Sequence, residues 1–138
     1  MDLVGKLPLL LSRGAPAGKG VTSMMAVIFE VWPAKGRKDD YLKLAASLRA
    51  EVEQIDGFIS VERFESLYEE GKLLSLQFWR DEASITAWRN HLRHRQAQAV
   101  GRGGMFADYR LRIAEVVRDY GPEDRAQAPA SPEAAFPG

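Results

Sequence analysis

The spacing of apolar residues changes repeatedly along the chain, and each change marks a structural element. "MMAVIFEVW", residues 24–32, is a nearly unbroken β-branched and aromatic run closed by Pro33, the composition of a buried strand. "PAKGRKDD" supplies a turn. Tyr41, Leu44, Ala45, Leu48, Val52 and Ile55 then recur at spacings of three and four, which predicts a helix with one buried face. Asp39 or Asp40 is expected to cap its start. "DGF" at 56–58 stops it, because Gly57 suits the left-handed position after a helix. "FISVERFESLYEEGKLLSLQFW" reads as two strands joined at "EEGK", with glycine where a hairpin needs positive φ. The second of these strands alternates Leu74, Leu76 and Phe78 against Ser75 and Gln77. A second helix follows in "DEASITAWRNHLRHRQAQAV", capped by Asp81, with Glu82 in its first turn and an apolar seam of Ile85, Trp88, Leu92 and Ala99. "GRGG" ends it. "MFADYRLRIAEVVRDY" is a last strand with Tyr109, Leu111, Ile113 and Val117 on one face and Asp108, Arg110, Arg112 and Arg118 on the other.

The order β-α-β-β-α-β predicts an α+β domain of ferredoxin-like topology, a four-stranded antiparallel sheet with two helices on one face. Two helices cover only one face of such a sheet. The other face is also apolar in several strands, so sheet-on-sheet pairing into a homodimer is expected. Residues 1–22, including "GAPAGKG", read as a flexible leader, residues 23–121 as the folded domain, and the Pro- and Ala-rich residues 122–138 as a disordered tail.

At 138 residues, with 46% apolar side chains, the chain suits one core. Lys plus Arg equals Asp plus Glu at 19 each, so no global field argues for nucleic acid or a membrane surface as a partner. Locally the balance is different: from Trp88 to Arg112 there are six arginines, both histidines and one acid, Asp108. Cysteine is absent, which removes disulfides, thiol nucleophiles and thiolate-bound zinc. No apolar run reaches the roughly 20 residues of a membrane-spanning helix, and a cytoplasmic location is the default expectation.

Four stretches carry a family resemblance: "FEVWPAKGR", "IDGFISVERFES", "LLSLQFWRDEASITAWRNH" and "GRGGMFADYRLRIAEVVRDY". With them, residues 24–120 resemble the antibiotic biosynthesis monooxygenase (ABM) domain of the dimeric α+β barrel superfamily. The resemblance implies a homodimeric barrel and a small monooxygenase that needs no cofactor and acts on an aromatic or polyketide-like substrate. It also implies two alternatives on the same fold: a heme-binding or heme-degrading protein, and a non-catalytic small-ligand or stress module. The heme-degrading branch uses an asparagine at the end of the first strand, a tryptophan on the second helix and a histidine further along. Here Trp88 matches the tryptophan, but Val31 stands at the asparagine position and Gln98 near the histidine position, with His94 one helical turn away.

The second helix offers the candidate chemistry. With its seam centred between Trp88 and Leu92, His91 falls about 90° to one side, on the same edge as Arg95 and Gln98. Read functionally, His91 moves a proton and Arg95 pairs with an anionic oxygen. Trp88, Phe78 and Gln98 then line the pocket, and Trp32 lies near its mouth. Such a site could hold an enolate that passes an electron to O₂. Read structurally, His91 and His94 are half-solvated flank residues and the arginines keep the helix hydrated. His91 and His94 at i and i+3 lack a neighbouring carboxylate to complete a metal site. "GRGG" follows a helix, so its amides cannot serve as a helix N-terminal phosphate site. The expected ligand is a small aromatic or anionic molecule.

Overall fold

The computed structural model describes residues 24–98 and 104–130, without the side chains of 96–98. The expected leader (1–22), Ala99, most of "GRGG" and residues 131–138 lie outside the described residues. The elements follow the predicted order: β1 (Met25–Pro33), α1 (Lys38–Val52), β2 (Phe58–Glu65), β3 (Leu73–Trp79), α2 (Glu82–Gln98) and β4 (Phe106–Glu115). The sheet order is β2-β3-β1-β4, with every neighbouring pair antiparallel. This is the ferredoxin-like arrangement.

Pairing levels Met25, Val27, Phe29 and Val31 of β1 with Trp79, Gln77, Ser75 and Leu73 of β3. The face bearing these residues is the one the helices cover: Val27, Phe58, Val61 and Trp79 pack with Val52 of α1 and with Ile85 and Trp88 of α2. A smaller cluster joins Val31, Tyr41, Leu73 and Met105. Because strand side chains alternate, Leu74, Leu76 and Phe78 lie on the opposite face with Ala26, Ile28, Glu30 and Trp32. The more apolar half of β3 therefore points away from the helices, and Ser75 and Gln77 point toward them. The reason is a cavity, described below, that replaces packed core over the middle of β3.

The two helix starts differ from each other. α1 has Arg37 at its N-cap with no side-chain cap bond, so the expected cap by Asp39 or Asp40 is corrected. The turn through Gly36 (φ +75°) brings the Arg37 amide to the Ala34 carbonyl at 2.8 Å, and the helix begins before either acid. Both acids sit in the first turn, where they suit the helix dipole, and Asp40 accepts from Arg37 Nε at 2.7 Å. The helix ends at Val52, and Ile55 packs on the core from the turn beyond.

α2 is capped by Asp81 as expected. Its Oδ1 accepts from the Ser84 amide at 2.9 Å and from Ser84 Oγ at 2.7 Å, and its Oδ2 accepts from Arg80 Nε at 2.9 Å. Burial pushes the Asp81 carboxyl up, but the Ser84 hydroxyl, Arg80 and the Ser84 amide outweigh it and hold the group below its ordinary value. A folded-state pKa below the unfolded one stabilises at all pH above the unfolded value of about 3.9, and that stability is lost as pH falls through the folded value. Asp81→Ala should therefore cost roughly 1–2 kcal/mol at neutral pH. It should cost progressively less in acid below about pH 4, read by urea denaturation across pH; a cost independent of pH would refute the cap.

Gly71 (φ +85°) turns the β2–β3 hairpin, as its sequence predicts. Of the expected disordered tail, residues 122–130 carry no helix or strand but are held in local turns, with the Gly121 amide on the Asp124 carbonyl at 2.9 Å. Among the described residues, no helix is long and apolar enough to cross a membrane.

Candidate active site

A cavity of about 290 Å³ lies between the helices and the sheet. Its floor is two cross-strand rows: Leu111, Phe29, Ser75 and Arg63, then Ile113, Val27, Gln77 and Val61. α1 supplies one wall through Tyr41, Leu44, Ala45, Leu48, Arg49 and Val52, and α2 the other through Ile85, Trp88, Arg89 and Leu92. Both sets follow from helical period: residues three and four apart share a face. Most of this lining is hydrocarbon.

Few polar groups interrupt it. The Tyr41 hydroxyl accepts from Arg63 Nε at 3.3 Å, and the Arg63 guanidinium carbon sits 5.8 Å from the Tyr41 ring centroid. Gln77 Oε1 accepts from Trp79 Nε1 at 2.9 Å, which fixes the amide on the floor. Ser75 is 2% exposed, and its Oγ is buried with no hydrogen-bond partner. On the rim, Arg49 pairs with Glu53 at 3.1 Å, while Arg89 Nη2 donates to Thr86 Oγ1 at 3.5 Å. Among the described residues the lining thus holds three guanidinium groups and no carboxylate or imidazole. Its chemistry is apolar walls under a positive edge.

The residues expected in the site divide sharply. Trp88 lines the cavity and is 7% exposed. Phe78 and Trp32 do not line it: both lie on the opposite sheet face, for the parity reason given above. Trp32 instead donates to Glu69 Oε2 at 2.6 Å beneath Lys72, whose Nζ stands 5.0 Å from the ring centroid. His91 and Arg95 occupy the flank of α2 that faces the end of α1. The His91 ring stacks on Trp88, with centroids 5.4 Å apart and 14° between planes. Its Nε2 meets Glu51 Oε1 at 2.6 Å, and Arg95 Nη2 meets Glu51 Oε2 at 3.2 Å. Placing His91 and Arg95 in the pocket wall is therefore corrected; the cavity side of α2 carries Arg89 instead. His94 is exposed, and the Gln98 side chain lies outside the described residues.

The Glu51 bridge is partly exposed, and such pairs contribute about 0.2–1 kcal/mol. His91→Ala and Arg95→Ala should each lower stability by roughly that amount and leave cavity binding nearly unchanged. A hundredfold loss of turnover at unchanged stability would restore them to the chemistry.

Sequence reasoning missed Tyr41, Arg63, Ser75, Gln77 and Arg89. A signal existed in the strands, where Arg63, Ser75 and Gln77 are polar residues at positions that alternate with outward ones. Among the described residues the cavity lining holds no imidazole, its Tyr41 hydroxyl is engaged by Arg63, and Val31, at the position of the heme-degrading branch's asparagine, is fully buried hydrocarbon. Among the described residues, no group of three or more His, Cys, Asp or Glu could hold a metal ion.

Comparison with known proteins adds four findings. The sequence pattern of a family described as antibiotic biosynthesis monooxygenase matches residues 24–100. A jasmonate monooxygenase from Pyricularia oryzae is 50% identical over 93 residues, which cover 67% of this chain and 43% of that protein. An uncharacterised Bacillus subtilis protein, YqjZ, is 31% identical over 62 residues, 45% of this chain and 53% of its own. The chain thus spans about half the length of the relatives it matches. Among solved structures, the heme-degrader MhuD of Mycobacterium tuberculosis, with two hemes in its active site, superposes with a TM-score of 0.55. At 21% identity, over 70% of this chain and 99% of that one, the likeness is one of fold.

Proposed function

The chain belongs to the antibiotic biosynthesis monooxygenase family, and on that premise we propose that it is a cofactor-independent monooxygenase whose small apolar substrate sits in the cavity between helices and sheet. The cavity carries this reading. Its volume of about 290 Å³ lies at the lower end of small-molecule sites, and its walls are apolar with a few placed polar groups. The jasmonate-acting relative supports a compact, ring-bearing, enolisable substrate; jasmonate itself, a cyclopentanone acid, has that character.

The proposed step balances without an external reductant. A carbon beside a carbonyl loses a proton, and the enolate passes one electron to O₂. The radical pair joins as C–OOH, and an H–C–OOH centre loses water to leave C=O. The sum is R₂CH₂ + O₂ → R₂C=O + H₂O. The contribution of the chain is electrostatic and steric. Arg89 and Arg49 at the rim favour the anion over its neutral parent, and the apolar walls keep water from the radical pair. Among the described residues the lining holds no carboxylate or imidazole, so on this reading the proton leaves to solvent at the rim, helped by the cationic edge that lowers the cost of the enolate.

An oxygen electrode tests this with the full chain, jasmonate and anthrone, and no added metal or reductant. Oxygen uptake should match substrate consumed, giving a product heavier by one oxygen and lighter by two hydrogens. Background uptake with both compounds would sink the reading. The Soret band of added heme, shifted and saturating at one or two equivalents, would instead favour the heme-degrading alternative.

The uncovered sheet face supports a homodimer as the working state. Ile28, Leu74, Leu76 and Phe78 lie together there, and each large apolar side chain left in water costs on the order of 1.5–3 kcal/mol. Sedimentation should show a dimer at micromolar concentration, and Leu76→Glu should dissociate it. A monomer in the unaltered chain would end the claim.

A further inference from the structure

One end of the cavity gathers hydrogen-bond donors: the half-buried Arg63 guanidinium, the buried and unpartnered Ser75 hydroxyl and the Tyr41 hydroxyl. Arg63 and Ser75 are cross-strand partners on the floor, so their side chains rise side by side from the sheet. Tyr41, on α1, closes over them. Its hydroxyl oxygen takes the Arg63 Nε proton at 3.3 Å, and the guanidinium lies against its ring. This orients the fork and leaves its terminal nitrogens, Nη1 and Nη2, free of a side-chain carboxylate among the described residues. No Asp or Glu among the described residues lies within ion-pair distance of Arg63, unlike Arg37, Arg49, Arg80, Arg95 and Arg112. Beside it the Ser75 hydroxyl is buried and unpartnered. A buried unpaired hydroxyl costs about 1–3 kcal/mol. Arg63, half-buried at the same end, stands ready to pair with an anion that enters the cavity.

We propose that Arg63, Ser75 and Tyr41 form a carboxylate anchor, and that the substrate class is therefore an apolar monocarboxylic acid. This deepens, and rests on, the reading of the cavity as the substrate site. The donor count selects the ligand. Two guanidinium N–H groups, a serine O–H and the tyrosine O–H can all donate at this end, and an ionised carboxylate offers about four lone-pair sites. A neutral ketone offers two, and it would leave the guanidinium uncompensated. An Arg fork matches a carboxylate in plane and spacing. With the acid group at this end, the carbon body lies along Val27, Val52, Ile113 and Trp88, which puts the reacting carbon away from the charge.

Jasmonate and methyl jasmonate test the anchor, since they share one apolar body and differ in the charge. Binding to the full chain is read by tryptophan fluorescence, with Trp88 in the cavity wall, and by calorimetry. The acid should bind at least tenfold more tightly than the ester at pH 7. Arg63→Gln should remove that preference, weakening the acid at least tenfold and the ester less than threefold. Ser75→Ala, which deletes only an unpartnered hydroxyl and keeps the fold, should reduce the preference several-fold. Equal affinity for acid and ester in the unaltered chain would overturn the inference, as would equal losses for both in Arg63→Gln or no saturable binding of either. Oxygen uptake separates the two levels. Acid held through Arg63 but never oxidised keeps the anchor and sinks the oxygenase reading. Ester oxidised as fast as acid does the reverse.

Discussion

Gly57→Ala should lower the stability of the folded domain by roughly 3–5 kcal/mol, a large share of the 5–15 kcal/mol typical of a domain. Two costs combine. Gly57 has φ +97°, a conformation that charges an L residue about 1–3 kcal/mol. A Cβ there would also stand 1.8 Å from Ser84 Oγ and 2.5 Å from Ser84 Cβ. Ser84 cannot swing aside freely, because it is 4% exposed and its hydroxyl and amide are both tied to Asp81. Overpacking of this kind adds about 1–3 kcal/mol. Nor can the Gly57 backbone retreat, since its carbonyl takes the Arg80 amide at 2.7 Å. Urea denaturation of Gly57→Ala alone and with Ser84→Gly separates the two costs. The double variant should recover the overpacking share and keep the backbone share. A Gly57→Ala loss under about 1 kcal/mol would mean that the loop relaxes and the close approach matters little.

Gly57 also shows how far the sequence can be read. "DGF" after an apolar-periodic helix announces a left-handed residue, because that signal is local. That Ser84 fills the space a Cβ would need is a contact across many residues, and no local pattern carries it. The same division runs through the fold. Element order, the hairpin glycine and the Asp81 cap follow from neighbouring residues, whereas the α1 start was displaced by the turn at Gly36.

The site divides in the same way. The apolar seam of α2 has two flanks, one with His91 and Arg95 and the other with Arg89. Only the placement of α1 decides which flank meets the cavity: Glu51 of α1 claims the first through two ion-pair contacts. In β3, a rule that puts the more apolar alternation toward the helices selects Leu74, Leu76 and Phe78. It fails because a cavity inverts it: the strand faces its helices with Ser75 and Gln77, and packs carbon on the side expected to meet a second copy. Phe78, expected to line the pocket, and Trp32, expected near its mouth, lie instead on the face away from the cavity. Polar residues at inward positions, Arg63 among them, were the legible mark of the site.

A filled cavity should separate binding from folding, and Ala45→Phe fills it. Ala45 is 7% exposed at the middle of α1 and lines the cavity wall, so a ring at that position projects into the void. Stability should change by less than about 1 kcal/mol, because the ring gains burial against the modest loss of helix propensity on replacing alanine. Ligand contact is a different matter. A ring occupying the void removes on the order of 100 Å² of contact from any ligand, which at about 25 cal/mol per Å² is about 2.5 kcal/mol, nearly a hundredfold in affinity. Jasmonate binding and oxygen uptake should both fall by roughly that factor while the melting temperature holds or rises. Ala46→Phe, one residue on and exposed, should leave binding as it was. If Ala45→Phe instead binds and turns over like the unaltered chain, the void is a packing defect. The reacting centre then belongs on the other sheet face, with Trp32 and Phe78.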